Sequence, residues 1–269
     1  MAIIALNSAA TGLRALSDRI DVVANNLANA ETQAFKRQNV NFEDLMYLHY
    51  KQPGTTDAQG DMAPAGITVG LGTKISNTEL DMTEGPLDNT GNPLDVAIEG
   101  DGFFHVKILP TISGGDGYTR SGSLIQNANG DLVVAIGAGY ELVPPINIPK
   151  GSTNIAIGQD GTVSYSKSGT NTISKAGQIM LSQFVNPQGL RMEGGSIYTV
   201  TDASGPAIVN TPGDNGAGTL QSGYTEESNV DAVKELVTLI KTQRSFELNS
   251  QSIQTADQAL QTIANLKRS

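Results

Sequence analysis

Glycine and proline are partitioned along this chain in a way that leaves few architectures open. Of the 30 glycines only Gly12 lies outside residues 51–224, and all 11 prolines lie inside that span. Helix breakers are therefore nearly absent from both ends of the 269-residue chain and dense between them. Two long helices flanking a strand-and-turn middle satisfy this distribution. Because the helical ends are remote in sequence, the middle reads as a domain inserted between two halves of a helical one.

The N-terminal segment carries Ile3, Leu6, Ala10, Leu13, Leu16, Ile20, Val23 and Leu27 at spacings of three and four, the period of an amphipathic helix. The successive three-residue steps at 10, 13 and 16 resemble a stammer in a heptad pattern. Such a helix is roughly 40 Å long at about 1.5 Å per residue. Its end, "VVANNLANAETQAFKRQ", holds Asn25, Asn26 and Asn29. Asparagine competes for backbone groups and weakens a helix, so these amides read as contacts that fix register between elements or subunits.

Near the other end, "ESNVDAVKEL" offers Ser228 as a helix N-cap with Asp231 three residues on. A helix then runs to the chain end, roughly 55–60 Å. Leu239, Phe246, Ile253 and Leu260 stand seven apart. The companion seam is Thr242, Asn249, Ala256 and Ile263, or else Leu236, Gln243 and Ser250. One strong and one half-polar seam suit a coiled coil that is incomplete alone, or a helical hairpin closing a globular domain.

The middle reads as strands and turns. "DVAIEGDGFFHV" has two β-prone runs around Gly-Asp-Gly. Asn129-Gly130 and Asp160-Gly161 are hairpin dipeptides between strand-like runs. Turn signals recur about every ten residues, as in an antiparallel sandwich or irregular barrel. The fold class is thus α+β: long N- and C-terminal helices, pairing as a coiled coil or closing as a helical hairpin, with an inserted antiparallel β-rich domain.

No chemistry is legible. The two histidines, His49 and His105, have no metal-ligand spacing, and there is no cysteine. "VGLGTK" and "GAGY" lack the strand-to-helix context of a phosphate loop and read as turns. "GDG" and "QDG" lack the ligand spacing of a calcium loop. No serine occupies a G-x-S-x-G elbow. The expectation is a non-enzyme without cofactors. Residues 51–224 hold eight Lys/Arg against sixteen Asp/Glu, which argues against nucleic acid as a partner. No cleavable signal and no membrane-spanning run is read. What remains is a protein whose two apolar helix stripes need burial, most simply against copies of itself. A β-rich adhesin or carbohydrate-binding module with a helical stalk is the alternative of a different class.

Several runs carry a family resemblance. "ANNLANAETQAFKRQ" (24–38) resembles the N-terminal signature of the bacterial flagellar axial proteins, the rod and hook subunits. "LDVAIEGDGFFHV" (94–106) and "YTRSGSL" (118–124) resemble its middle motifs, and 223–261 its C-terminal signature. Length and the run "FEDLMYLHYKQPG" (42–54) are most similar to subunits of the distal rod, with proximal rod and hook subunits of the family as alternatives. In one departure, the family's glycine before "FK" is Ala34 here. If that position requires φ > 0, alanine fits poorly; otherwise the turn differs or the helix runs on.

The resemblance implies a helical tube around an export channel, lined by the terminal helices, in the cell-envelope basal body, reached by flagellar export without a cleaved signal. Implied partners are other copies of the chain, proximal rod and hook proteins, surrounding ring proteins and the export apparatus. The implied division is a helical coiled-coil domain (1–30 and 228–269), a connector (31–90 and 206–227) and an outer β domain (91–205). Expected seam residues are Ile3, Leu6, Leu13, Leu16, Ile20, Val23, Leu27, Leu239, Phe246, Ile253, Leu260 and Ile263, with Asn25, Asn26 and Asn29 as polar contacts. Phe42, Leu45, Met46, Tyr47, Tyr50 and Pro53 are expected to stiffen the rod.

Overall fold

A computed structural model of the chain describes residues 2–54, 64–110, 113–137, 139–167 and 172–266. Helix α1 spans Ala2–Ala28 and α2 spans Ala232–Leu266, with the β-rich middle between them. At 27 and 35 residues they are about 40 and 52 Å long. The chain divides into two compact units. The first joins residues 1–28, 38–79 and 231–269; the second joins 29–37 and 80–230.

In the first unit α1 and α2 pack against each other. A Cβ on Gly12 would stand 3.3 Å from the Asn249 amide nitrogen. The Asn26 amide lies 3.5 Å from the Glu235 carboxylate. Moving up α1 from 12 to 26 moves down α2 from 249 to 235, the same number of residues. The helices are therefore antiparallel without a register slip, and Gly12 permits their close approach. The same unit contains strands β1 (Gln38–Asp44), β2 (Tyr47–Lys51), β3 (Ile67–Gly70) and β4 (Thr73–Leu80). β1 pairs with β4, and β2 pairs antiparallel with β3. The four strands form a two-stranded ribbon that bends where Leu45 N–H donates to the Gly72 carbonyl and Leu71 N–H to the Met46 carbonyl.

The second unit is antiparallel throughout its assigned pairings, as the turn spacing predicts. It contains β5 (Leu87–Asn89), β6 (Val96–Glu99), β7 (Phe103–Lys107) and β8 (Asp116–Thr119). β7 and β8 lie inside a nine-stranded sheet that also includes Tyr140–Leu142, Leu132–Val134 and Leu124–Gln126 on one side and Ile197–Thr199 and Arg191–Gly194 on the other. Strands Leu181–Gln183 and Ile208–Asn210 branch from β7. The hairpins expected at Asn129-Gly130 and Asp160-Gly161 form. At Gly100-Asp101-Gly102 the chain instead turns a corner: β6 pairs with Thr219–Ser222, and β7 continues in the large sheet.

Strand alternation divides the core. Phe104 and Val106 enter one cluster with Val96, Ile98, Leu124, Leu132 and Leu181, while Phe103 enters a second with Leu80, Tyr118, Leu190 and Tyr198. His105, on the second face, stacks on Tyr118 and lies 3.1 Å from Asp116, a structural position. Both buried clusters belong to the second unit.

Candidate assembly surfaces

The helices of the first unit are poorly covered. Among the described side chains of α2, only Glu235 and Thr242 are buried, and both are polar. The half-buried positions are Leu239, Phe246, Asn249, Ile253, Ala256 and Leu260, with Thr238 and Ser250 beside them. Of the two companion seams weighed from the sequence, the one through Thr242, Asn249 and Ala256 turns inward. Leu236 and Gln243 are exposed. The antiparallel register sets Phe246 opposite Ala15, Leu239 opposite Val22 and Ile253 opposite Ser8. Ala15 and Val23 are buried; Leu6, Leu13, Leu16, Ile20 and Leu27 are half-buried, and Ala10 is exposed. The side chains of Ile3 and Ile263 lie outside the described residues. A further apolar stripe on α2, formed by Val233, Leu236, Val237, Ile240 and Leu248, faces solvent.

Helix α2 is capped by Asp231, not by Ser228. The Asp231 carboxylate accepts from Val233 N–H at 3.0 Å and Lys234 N–H at 3.1 Å. These bonds, with Lys234, hold its pKa below the ordinary carboxylate value. Ser228 is buried and accepts from Val230 N–H in the preceding turn.

The three asparagines separate in role. Asn26 is buried, and its amide pairs both ways with the Gln38 backbone: Nδ2 donates to the carbonyl at 2.9 Å, and Oδ1 accepts from N–H at 3.0 Å. It thereby ties the C-terminal turn of α1 to the start of β1 and to Glu235 of α2. Asn29 accepts from the Thr32 hydroxyl at 3.1 Å. Asn25 is exposed on the helix surface.

The segment expected to stiffen a rod is the outward strand of the ribbon. Phe42, Met46, Tyr47 and Tyr50 are exposed, Met46 at 81%, and Leu48 and Ile67 beside them are exposed too. Leu45 is half-buried at the bend and Pro53 is exposed. The ribbon base is fastened to α1. Gly72 has φ +118°, and a Cβ there would stand 2.0 Å from the Thr11 hydroxyl, which also accepts from Thr73 N–H. Arg19 lies 5.7 Å from the Phe42 ring centroid, and Lys74 pairs with Glu43 at 2.6 Å. Between α1 and the ribbon base is a cavity of about 480 Å³ lined by Ala10, Arg14, Ala15, Leu45, Leu71 and Ile75, among others.

In the second unit the quoted motif runs converge on buried charge. Lys36 of "AFKRQ", Arg120 of "YTRSG" and Glu226 of "GYTEE" are almost completely buried. Glu226 accepts from Lys36 Nζ at 2.6 Å, Arg120 Nε at 2.7 Å and Gly85 N–H at 3.0 Å. The rest of the Arg120 guanidinium donates to the carbonyls of Ile98, Gly100 and Gly102. Lys36 Nζ also donates to the Thr83 carbonyl. Burial lowers the Lys36 pKa, opposed by Glu226 and aided by Arg120. Ala34, two residues before Lys36, is fully buried at φ 55°, and its N–H donates to the Glu226 carbonyl. The position does require φ > 0, and alanine occupies it nonetheless. The division implied by the resemblance counts "AFKRQ" (34–38) within the connector, and nothing in the sequence alone brings Lys36, Arg120 and Glu226 together. The available signal was charge of opposite sign in the three runs: Lys36 and Arg37, Arg120, and Glu226 and Glu227.

Among the described residues, no group of three or more His, Asp or Glu is placed to hold a metal, and no helix is long and apolar enough to cross a membrane. Three family descriptions match the chain: "Flagella basal body rod protein" over residues 6–36, "Flagellar hook protein FlgE/F/G D1 domain" over 97–165 and "Flagellar basal body rod FlgEFG protein C-terminal" over 221–266. Relatives named flagellar basal-body rod protein FlgG match over nearly their whole length. That of Buchnera aphidicola subsp. Schizaphis graminum is 45% identical, covering 95% of this chain and 96% of its own. Those of Borreliella burgdorferi and Bacillus subtilis are 40% and 37% identical, each covering 98% of both chains.

Proposed function

The chain belongs to the flagellar basal-body rod protein family, and from that membership we propose that it builds the distal rod, a stiff hollow helical tube that transmits torque and carries the export channel. It is a structural protein of the flagellar basal body and not an enzyme.

One observation carries the assembly reading: among the described residues, both buried apolar clusters lie in the second unit, while the first presents two long helices without one. Helices of this length draw their stability from packing an apolar face, and α2 leaves Val233, Leu236, Val237, Ile240 and Leu248 in solvent. Neighbouring copies supply the missing cover. In this reading α1 and α2 pair as a coiled coil that lines the channel, and Leu6, Leu13, Leu16, Ile20, Val23, Leu27, Leu239, Phe246, Ile253 and Leu260 form its seams within and between subunits. Residues 91–205 face outward as an inserted domain, joined by a connector of 31–90 and 206–227. Two surfaces of one chain that complement each other on successive copies generate an open helix. The other partners are proximal rod and hook proteins, basal-body rings and the export apparatus.

The ribbon is the stiffening element of this proposal. A two-stranded ribbon is marginal alone, and Met46, Tyr47, Leu48 and Tyr50 gain cover only on a neighbour. Deleting residues 43–66 should leave a polymer that bends; an unchanged straight rod would refute the role. Deleting 1–27 or 229–269 should abolish polymerisation with the β unit still folded, and rods from either truncation would reject the helical reading.

A further inference from the structure

The chain passes between its two units at 28/29, 37/38, 79/80 and 230/231. Three of these four crossings lie within two residues of a member of a single hydrogen-bonded knot inside the second unit. Asn229 is its centre. Its Oδ1 accepts from Arg37 N–H at 2.8 Å, and its Nδ2 donates to the carbonyls of Asp81 at 2.8 Å and Thr83 at 3.1 Å. Asp81 N–H donates to the Arg37 carbonyl at 2.8 Å, and Asn229 N–H to the Phe35 carbonyl at 3.3 Å. One asparagine thus joins the chain segments at three of the four crossings. Lys36 and Glu226 repeat the connection one layer deeper, and Arg120 extends it to the carbonyls of β6 and the β6–β7 corner.

A buried cluster of two cations and one anion is a poor way to gain stability, because desolvating the charges offsets most of their attraction. It is a good way to hold segments in fixed register, since Lys36, Glu226 and Arg120 are each held by two or more directional hydrogen bonds. We propose that the Asn229 knot and the Lys36–Glu226–Arg120 cluster are a mechanical tie. They bind the crossing segments to one another and to the β sheet, so that force arriving along any one segment is shared by all three. Asn229 and Lys36 are positioning residues for stiffness, not contacts between subunits. The proposal rests on the rod reading for the source of the force; the tie itself is a property of the single chain.

The test uses the full-length chain with N229A and K36M. Hydrogen exchange on the unpolymerised protein should show protection at Arg37, Asp81 and Asn229 falling about tenfold or more in N229A, two part-buried bonds and the exposed bond to Thr83 being lost. Protection in the nine-stranded sheet should stay at the parent level. K36M should lower protection at the same amides by less. Filaments of N229A imaged by electron microscopy should have a shorter persistence length with the same subunit lattice. Unchanged exchange at the three amides, an equal loss across the sheet, or filaments as stiff as the parent would each overturn the proposal. If N229A fails to fold, N229D keeps the acceptor toward Arg37 and loses only the two donors, and the same outcomes decide. A parent that forms no filament would defeat the rod reading, while the exchange result would still decide the tie.

Discussion

Replacing Glu226 by glutamine changes almost no volume and reverses the logic of the buried cluster. The carboxylate accepts from three donors: Lys36 Nζ and Gly85 N–H at Oε1, and Arg120 Nε at Oε2. A glutamine offers one acceptor oxygen, and its NH2 then points at a donor whichever way the amide is turned. Two buried cations also lose their only anion within the cluster. Removing one partner of a buried pair is expected to cost about 3–5 kcal/mol, a large share of the ~5–15 kcal/mol that holds a domain together. Lys36→Met should behave differently. It removes the surplus cation and leaves a neutral Arg120–Glu226 pair, and the Thr83 carbonyl keeps Asn229 as donor. Its expected loss is under about 1.5 kcal/mol. The assay is urea unfolding of unpolymerised protein followed by far-UV circular dichroism, since the chain has no tryptophan. An E226Q loss below about 1 kcal/mol, or a K36M loss equal to that of E226Q, would refute the charge-balance argument.

Other substitutions probe separate parts of the fold. Tyr198 is buried with no hydrogen-bond partner for its hydroxyl, so Y198F should keep or raise stability by about 1 kcal/mol in the same urea assay. Burial also pushes the Tyr198 phenol well above its ordinary pKa. The folded state therefore resists ionisation, and stability present below about pH 10 falls as pH rises further; Y198F should flatten that decline in a pH series. At Ala34 the left-handed strain of about 1–2 kcal/mol is set against loss of a buried methyl, about 0.8 kcal/mol, and added glycine entropy, about 0.4–1 kcal/mol. A34G should thus stay within about 1 kcal/mol of the parent, whereas A34V, β-branched at φ 55°, should lose more than about 2 kcal/mol by thermal melting. G72A places a methyl on the Thr11 hydroxyl and Ser8 backbone at φ +118°, so limited proteolysis should cut the ribbon faster without loss of the β-sheet signal.

The helix–β–helix order was legible because helix breakers are confined to the middle of the chain. Helix α2 begins at Ala232, nine residues past the last glycine, Gly223, whereas α1 ends at Ala28, 25 residues before Pro53, so no breaker marks its end. The hairpins at Asn129-Gly130 and Asp160-Gly161 were legible for a local reason, the φ > 0 that those turns need. The inward companion seam on α2 stayed ambiguous because Thr242 and Asn249 are as polar as Gln243 and Ser250; only the partner helix decides between them. The ribbon strands were not legible because both faces of β1 and β2 are largely exposed, which leaves no apolar alternation to find; the connector over 31–90 is what the resemblance implies. The buried cluster was hidden by distance, since Lys36 and Glu226 lie 190 residues apart and charged residues are ordinarily solvated. The position of Ala34 was legible as a problem but not its solution, because the cover that holds alanine at φ 55° comes from the far end of the chain.

The central claim is that the poorly covered helices and exposed ribbon of the first unit are completed by further copies of the same chain. Electron cryomicroscopy of the concentrated full-length protein tests it most directly. The expected result is straight hollow helical filaments in which Val233, Leu236, Val237 and Ile240 of one copy, and Met46, Tyr47 and Tyr50 of its ribbon, are buried against neighbours. A discrete closed oligomer, or filaments in which those side chains remain in solvent, would contradict it.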